Sequence, residues 1–241
     1  MKLTLNKLKT LINEVLSESS ANLPPETMKK LMKFLKNKDP SIIAQGIQLA
    51  IGLGMDEDEI IKITFSKIKG WYKDGINWVL LENFPTNQIF KNLTELNLWN
   101  RGLTEIPDSI VNLTNLRILY LSNNQLTSLP DSIGNLTNLI FLDLHYNQLT
   151  SLHDSIGNLT NLRKLNLSNN QLRSLQDSIG NLTNLTELDL SYNPLKSLPD
   201  SIGNLTNLER LNLDYNDQLT SLPDSIENLE NTEISREFDY W

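Results

Sequence analysis

The stretch Leu162–Leu172, "LRKLNLSNNQL", decides how this chain folds. Leu165 and Leu167 stand two residues apart, so an extended backbone points both to one side. Asn170 and Leu172 follow after a short polar bend. The same frame starts at Leu93 (LTELNLWNRGL), Leu116 (LRILYLSNNQL), Leu139 (LIFLDLHYNQL), Leu185 (LTELDLSYNPL) and Leu208 (LERLNLDYNDQL). The period is 23 residues, broken once by an added residue within Asn216–Leu219. A unit this short cannot bury its own leucines. Six tandem copies therefore predict a solenoid in which each coil shields the next and the strands align as a parallel sheet.

Between the strands the chain returns through "LPDSIGN", whose Leu and Ile point into the same interior. Pro107, Pro130, Pro199 and Pro223 fix φ on this return path. His153 and Gln176 replace the proline in two coils and read as neutral substitutions on the convex side.

The pattern L-x-x-L-x-L-x-x-N-x-L resembles the leucine-rich repeat family from Leu93 to about Leu229. The consensus "NQLTSLPDSIGNLTNL" is most similar to Ras-group-related leucine-rich repeat proteins and bacterial relatives. The resemblance implies an α/β fold, a right-handed solenoid with its parallel strands on the concave face. It also implies an inward-turned ladder of Asn124, Asn147, Asn170, Asn193 and Asn216, hydrogen-bonded to the backbone of neighbouring coils. A buried amide needs such partners. Arg101 occupies this place in the first coil, so the ladder is expected to start one coil later.

Residues 93–231 are thus expected to form six repeats. Residues 1–70 carry helical apolar stripes (Leu5, Leu8, Leu11, Ile12, Val15 and Leu16; then Met28, Leu31, Met32 and Leu35) and read as a helical domain packed on the first coil. A third helix is expected from Asp39-Pro40 through Leu53, and a fourth ending at Gly70. Residues 71–92 read as an N-terminal cap or degenerate first coil that buries Trp78, Leu80 and Phe84. Residues 232–241 read as a C-terminal cap: Thr232 stands where a leucine is due, and Phe238, Tyr240 and Trp241 are expected to cover the last coil.

The chain has 241 residues and a net charge of −8, unevenly spread. Residues 1–90 hold twelve lysines and ten acids, whereas residues 91–241 hold nine basic and nineteen acidic residues. An acidic repeat region argues against binding a phosphate backbone. The lysines between Lys29 and Lys38 read as a solvated helix face rather than a nucleic-acid or membrane patch. There is no Cys, no continuous apolar leader and no membrane-spanning run, so a cytoplasmic location is expected. Seven Asn residues begin an N-L-T triplet, which matches the N-glycosylation pattern, but six of them fall in the repeated step and all read as by-products of the repeat.

No nucleotide loop, zincin motif or Cys–His cluster occurs, so neither a catalytic site, a metal nor a cofactor is expected. Without Cys, a thiol-dependent ubiquitin ligase is excluded. Asp143 and His145 share one face of the third strand, with Ser122 and Ser168 in adjacent coils. An open sheet offers them no oxyanion hole, so a hydrolase is not expected.

Side chains between the leucines vary from coil to coil, as on a scaffold that presents a recognition surface. Trp99, Ile118, Tyr120, Ile140, Phe141 and Tyr146 cluster in the first three coils. Arg117, Asp143, His145, Arg163, Lys164, Tyr192 and Tyr215 extend the candidate surface. Aromatic clusters of this kind mark protein interfaces. The reading is a non-enzymatic, monomeric module that grips a partner protein on its concave face, with no nucleic acid and no membrane span. The subgroup resemblance is compatible with a small GTPase as that partner. The alternative is a regulatory or scaffold subunit that tethers an enzyme or assembly through the N-terminal helices.

Overall fold

A computed structural model describes residues 93–237, together with 29, 31, 33, 34 and 46–50. The chain divides into two compact units, Met1–Asn87 and Gln88–Trp241. The division falls within the segment read from sequence as a capping coil. In the first unit the described residues are helical. Leu31, Phe34, Ile47, Leu49 and Ala50 are buried, while Lys29, Lys33 and Gln48 face solvent. The first and fourth expected helices, the degenerate coil at 71–92 and the aromatic residues Phe238, Tyr240 and Trp241 lie outside the described residues.

The second unit is a solenoid. Its strands are β1 (Glu95–Asn97), β2 (Ile118–Tyr120), β3 (Phe141–Asp143), β4 (Lys164–Asn166), β5 (Glu187–Asp189), β6 (Arg210–Asn212) and β7 (Glu233–Ser235). They pair in chain order as one parallel sheet, with Leu96, Leu119, Leu142, Leu165, Leu188, Leu211 and Ile234 in register. All six of these leucines, and their partners two residues on, are almost fully buried. One leucine-lined interior therefore runs the length of the sheet.

β7 lies inside the segment read from the sequence as a C-terminal cap. Parallel pairing needs only backbone groups, and Ile234 continues the leucine column opposite Leu211. Thr232, in place of a leucine, donates its hydroxyl to the Leu208 carbonyl at 2.6 Å instead of filling the core. Ile234 remains 36% exposed because no described coil follows it.

The return path of each coil is a 3-10 turn of five residues, from Asp108–Asn112 to Asp224–Asn228. Ile110, Ile133, Ile156, Ile179 and Ile202 point inward from these turns. The preceding residue is extended in every coil: φ is −72° at Pro107, −77° at His153 and −79° at Gln176. His153 and Gln176 thus keep a backbone that suits proline. His153 also accepts the Ser155 amide through Nδ1 at 3.2 Å, which explains its tolerance there.

Two features set the distance between coils. The first is the asparagine ladder. Asn170 donates to the carbonyls of Leu144 and Leu167, both at 3.0 Å, and accepts the Leu149 amide at 3.0 Å. Asn124, Asn147, Asn193 and Asn216 repeat this pattern. Asn124 also reaches back to the amides of Arg101 and Leu103, so the first coil is tied in without an asparagine of its own. The second feature is glycine. A Cβ at Gly180 would lie 2.5 Å from the Ser201 carbonyl oxygen, and at Gly157 2.5 Å from that of Ser178. Adjacent 3-10 turns touch there backbone to backbone, and only hydrogen fits between them.

A further ladder went unread in the sequence. Asn138, Asn161, Asn184 and Asn207, the second asparagine of each N-L-T-N-L step, donate to a threonine carbonyl of the preceding coil at 2.7–2.9 Å. Asn184, which begins one of the seven N-L-T triplets, has its amide nitrogen engaged in this way.

Candidate functional site

The residues flanking each inward leucine line the open face of the sheet. On β2 and β3 three of the four are apolar or aromatic: Ile118 and Phe141 are register neighbours, and Tyr120 stands opposite Asp143. The Tyr120 and Phe141 rings meet edge to face, with centroids 5.3 Å apart. Ile118, Tyr120, Ile140 and Phe141 are half-buried, while Trp99 is 51% exposed and Tyr146 57% exposed.

Tyr146 owes its position to backbone geometry. The residue after each strand's bend has a positive φ: 54° at Asn100, 57° at Asn123, 51° at Tyr146, 54° at Asn169, 54° at Tyr192 and 57° at Tyr215. Asparagine tolerates this left-handed conformation. A tyrosine held there costs about 1 kcal/mol. Three coils nevertheless carry tyrosine, which projects a ring off the rim of the sheet. Tyr192 and Tyr215 stack with centroids 4.3 Å apart, and Tyr192 is 49% exposed. Sequence reasoning found these tyrosines but not the strain, because φ is invisible to periodicity.

Asp143 is less available than its column predicted. It is only 7% exposed, and its Oδ1 accepts both the amide and the Nδ1–H of His145, at 3.2 and 2.7 Å. This pairing belongs to the repeat. The Oδ1 of Asn97, Asn166, Asp189 and Asn212 accepts the amide two residues on in the same way, at 2.9–3.0 Å. In β4 and β5 the same oxygen also takes a hydroxyl, from Ser168 and Ser191. His145 occupies the serine position of that turn, and its ring packs on Tyr146 at 5.4 Å. Ser122 and Ser168 are buried, and neither hydroxyl bonds to His145 among the described residues. The Asp–His pair is thus a local turn that holds the bend. Replacing His145 with Ser is expected to change unfolding stability by less than about 0.5 kcal/mol, measured by denaturant titration, because Ser168 makes the equivalent bond next door.

Beside the aromatic cluster a shallow trough of about 590 Å³ crosses the beginnings of the strands. Arg117, Ile118, Ile140, Phe141, Arg163 and Lys164 line it, joined by Thr94, Glu95, Thr186, Glu187 and Glu209. The last five were legible as varying positions but had no aromatic signal to single them out. Lys164 reaches Glu187 at 2.7 Å, and Arg210 approaches Glu233 at 3.8 Å. Among the described residues no group of three or more metal-ligating side chains converges, and no helix is long and apolar enough to cross a membrane.

A family model described as a leucine-rich repeat region matches residues 87–169 and 147–235. Among solved structures the chain is similar to the PEPR1–AtPEP1 crystal structure, at 34% identity and a TM-score of 0.56, over 63% of this chain and 22% of that one. It is similar to a Leptospira interrogans LRR protein at 27% identity and a TM-score of 0.55, over 100% of this chain and 61% of that one. It is also similar to Listeria monocytogenes InlP at 37% identity and a TM-score of 0.52, over 60% of this chain and 39% of that one. The chain therefore spans less than two thirds of each of these three proteins. No curated protein matches it significantly by sequence.

Proposed function

The chain belongs to the leucine-rich repeat family, and from that premise we propose that it is a non-enzymatic module that binds a partner protein on its concave face. The observation that carries this reading is the aromatic and apolar cluster of half-buried Ile118, Tyr120, Ile140 and Phe141 with exposed Trp99 and Tyr146. A solenoid core needs none of these rings. They lie outside the leucine core, at positions where other coils carry mostly polar or charged residues such as Asn, Ser, Thr, Glu, Lys and Arg. Binding energy concentrates on such large, rigid side chains, and Arg117 and Arg163 supply polar groups at the edge of the cluster. Strain supports the same reading. At the bend where asparagine sits comfortably in three coils, Tyr146, Tyr192 and Tyr215 are kept in a costly backbone conformation.

The experiment is affinity capture from the native host with wild-type protein and with a Trp99→Ala/Tyr120→Ala/Phe141→Ala variant, read by quantitative mass spectrometry. These side chains are outside the leucine core, so the variant keeps its fold, which circular dichroism checks. Recovery of the specific partner is expected to fall about tenfold or more. Equal recovery of every partner by both forms rejects the concave face as the site.

A further inference from the structure

Charge on the open face of the sheet is not evenly compensated. Lys164 and Arg210 each have a carboxylate on the next strand, Glu187 at 2.7 Å and Glu233 at 3.8 Å. Arg117 and Arg163 are exposed and form no ion pair among the described residues. They sit on alternate coils, on either side of Ile140. The backbone links the three directly: the Ile140 amide donates to the Arg117 carbonyl at 2.8 Å, and the Arg163 amide to the Ile140 carbonyl at 2.9 Å. Phe141 and Ile118 complete an apolar floor between the two guanidinium groups, within the 590 Å³ trough. The ends of that trough are acidic, with Glu95 on one side and Glu187 and Glu209 on the other. The surrounding body is acidic as well, with nineteen acidic and nine basic residues from 91 onward.

We propose that this trough takes an extended peptide segment in which two carboxylates flank one apolar side chain. The inference rests on the concave face being the binding surface and names the class of partner. A planar guanidinium pairs best with a carboxylate through two parallel hydrogen bonds, and it is poorly used when left to water. The apolar side chain of the segment lies on Ile118, Ile140 and Phe141. The spacing follows from the sheet. Strands are about 4.8 Å apart, so two coils separate the arginine backbones by about 10 Å, roughly three residues of extended peptide. Glu95 and Glu209, at the two ends, repel a longer acidic run or a polyphosphate backbone. The motif is therefore short, acidic–(x)2–acidic with an apolar residue inside, and its flanks are neutral or basic.

The test is selection of a random displayed-peptide library on the full chain, followed by titration of the enriched peptides against wild type, Arg117→Glu/Arg163→Glu and Phe141→Ala. Both arginines are exposed, so charge reversal leaves the core untouched, and circular dichroism verifies this. Enriched peptides are expected to carry the spaced acidic pair. Their affinity is expected to fall about tenfold or more with the reversed arginines, and to weaken from low to high salt. Enrichment of basic or neutral peptides, or equal binding to the reversed variant, overturns the acidic class. If such peptides still lose affinity with Phe141→Ala, the concave site survives and only the partner chemistry is wrong. If neither variant weakens them, both readings fall. No enrichment over a blank surface overturns the extended-peptide occupant, and the capture experiment with the triple variant still judges the concave site independently.

Discussion

Replacing Gly180 with Val is expected to destabilise the solenoid by about 3 kcal/mol, near the upper end of what overpacking costs. The reason is local and geometric. A Cβ on Gly180 would sit 2.5 Å from the carbonyl oxygen and 2.6 Å from the Cβ of Ser201 in the next coil. Neither atom belongs to a flexible side-chain tip, so relief requires the two 3-10 turns to separate. Separation opens the isoleucine and leucine layer beneath them. The stiffer unfolded chain of the variant recovers only about 0.4–1 kcal/mol. Glu227 provides the control. It occupies the same place in the last described turn, where it is exposed and nothing described stacks on it. Glu227→Val is expected to change stability by less than about 0.5 kcal/mol. Urea unfolding of both variants checks the pair. A small loss at Gly180, or equal losses at the two positions, means that the close stacking of the coils does not depend on glycine.

Replacing Asn170 with Ala is expected to cost about 4 kcal/mol, because three buried backbone groups lose their partner together. The carbonyls of Leu144 and Leu167 lose a donor, and the Leu149 amide loses its acceptor. These groups come from two coils, so the damage falls on the interface term between neighbouring repeats, on which solenoid stability depends. Asn161→Ala is the matched control. Its amide makes one bond, to the Thr137 carbonyl at 2.9 Å, on an exposed surface where water replaces it. Its expected cost is below about 0.5 kcal/mol. Denaturant midpoints for the two variants decide the matter. If Asn170→Ala costs under about 1 kcal/mol, water reaches the bend and the ladder contributes little.

Both predictions bear on function through rigidity. Arg117, Ile140 and Arg163 stand on three consecutive coils, and their spacing is fixed by the stacking that Gly134, Gly157 and the asparagine ladder maintain. A coil that swings by a few degrees moves the two guanidinium groups apart. Loss of coil registration then disturbs the geometry of the proposed peptide site.

The two asparagine ladders show where sequence reading succeeds and fails. Asn170 was legible because it sits in a fixed frame beside leucines that must be inside, and a buried amide must find partners. Asn161 is exposed, so no burial argument pointed to it; its bond to the preceding coil follows only from how closely the coils stack. The aromatic cluster was legible as a departure from the repeat. The trough was less so, because Glu95, Glu187 and Glu209 are ordinary surface residues until the sheet lines them up with Arg117 and Arg163.

Asp143 and His145 make the same point in reverse. Their spacing in a strand evoked catalytic neighbours. Comparison with Asn97, Asn166, Asp189 and Asn212 reveals a recurring turn in which the carboxyl or amide oxygen ties down the second following amide.

By itself the sequence determined the period, the inward leucines, the parallel sheet and the columns of exposed residues, because these follow from alternation and from a unit too small to bury its own face. The tertiary structure alone decided the rest. Gly180 must lack a side chain because a neighbouring coil's carbonyl occupies that space. Tyr146, Tyr192 and Tyr215 are strained because the bend after each strand is left-handed. The seventh strand forms because backbone pairing does not require a leucine at Thr232. Each depends on the distance between atoms a full coil apart, and a linear pattern fixes the order of coils but not their separation.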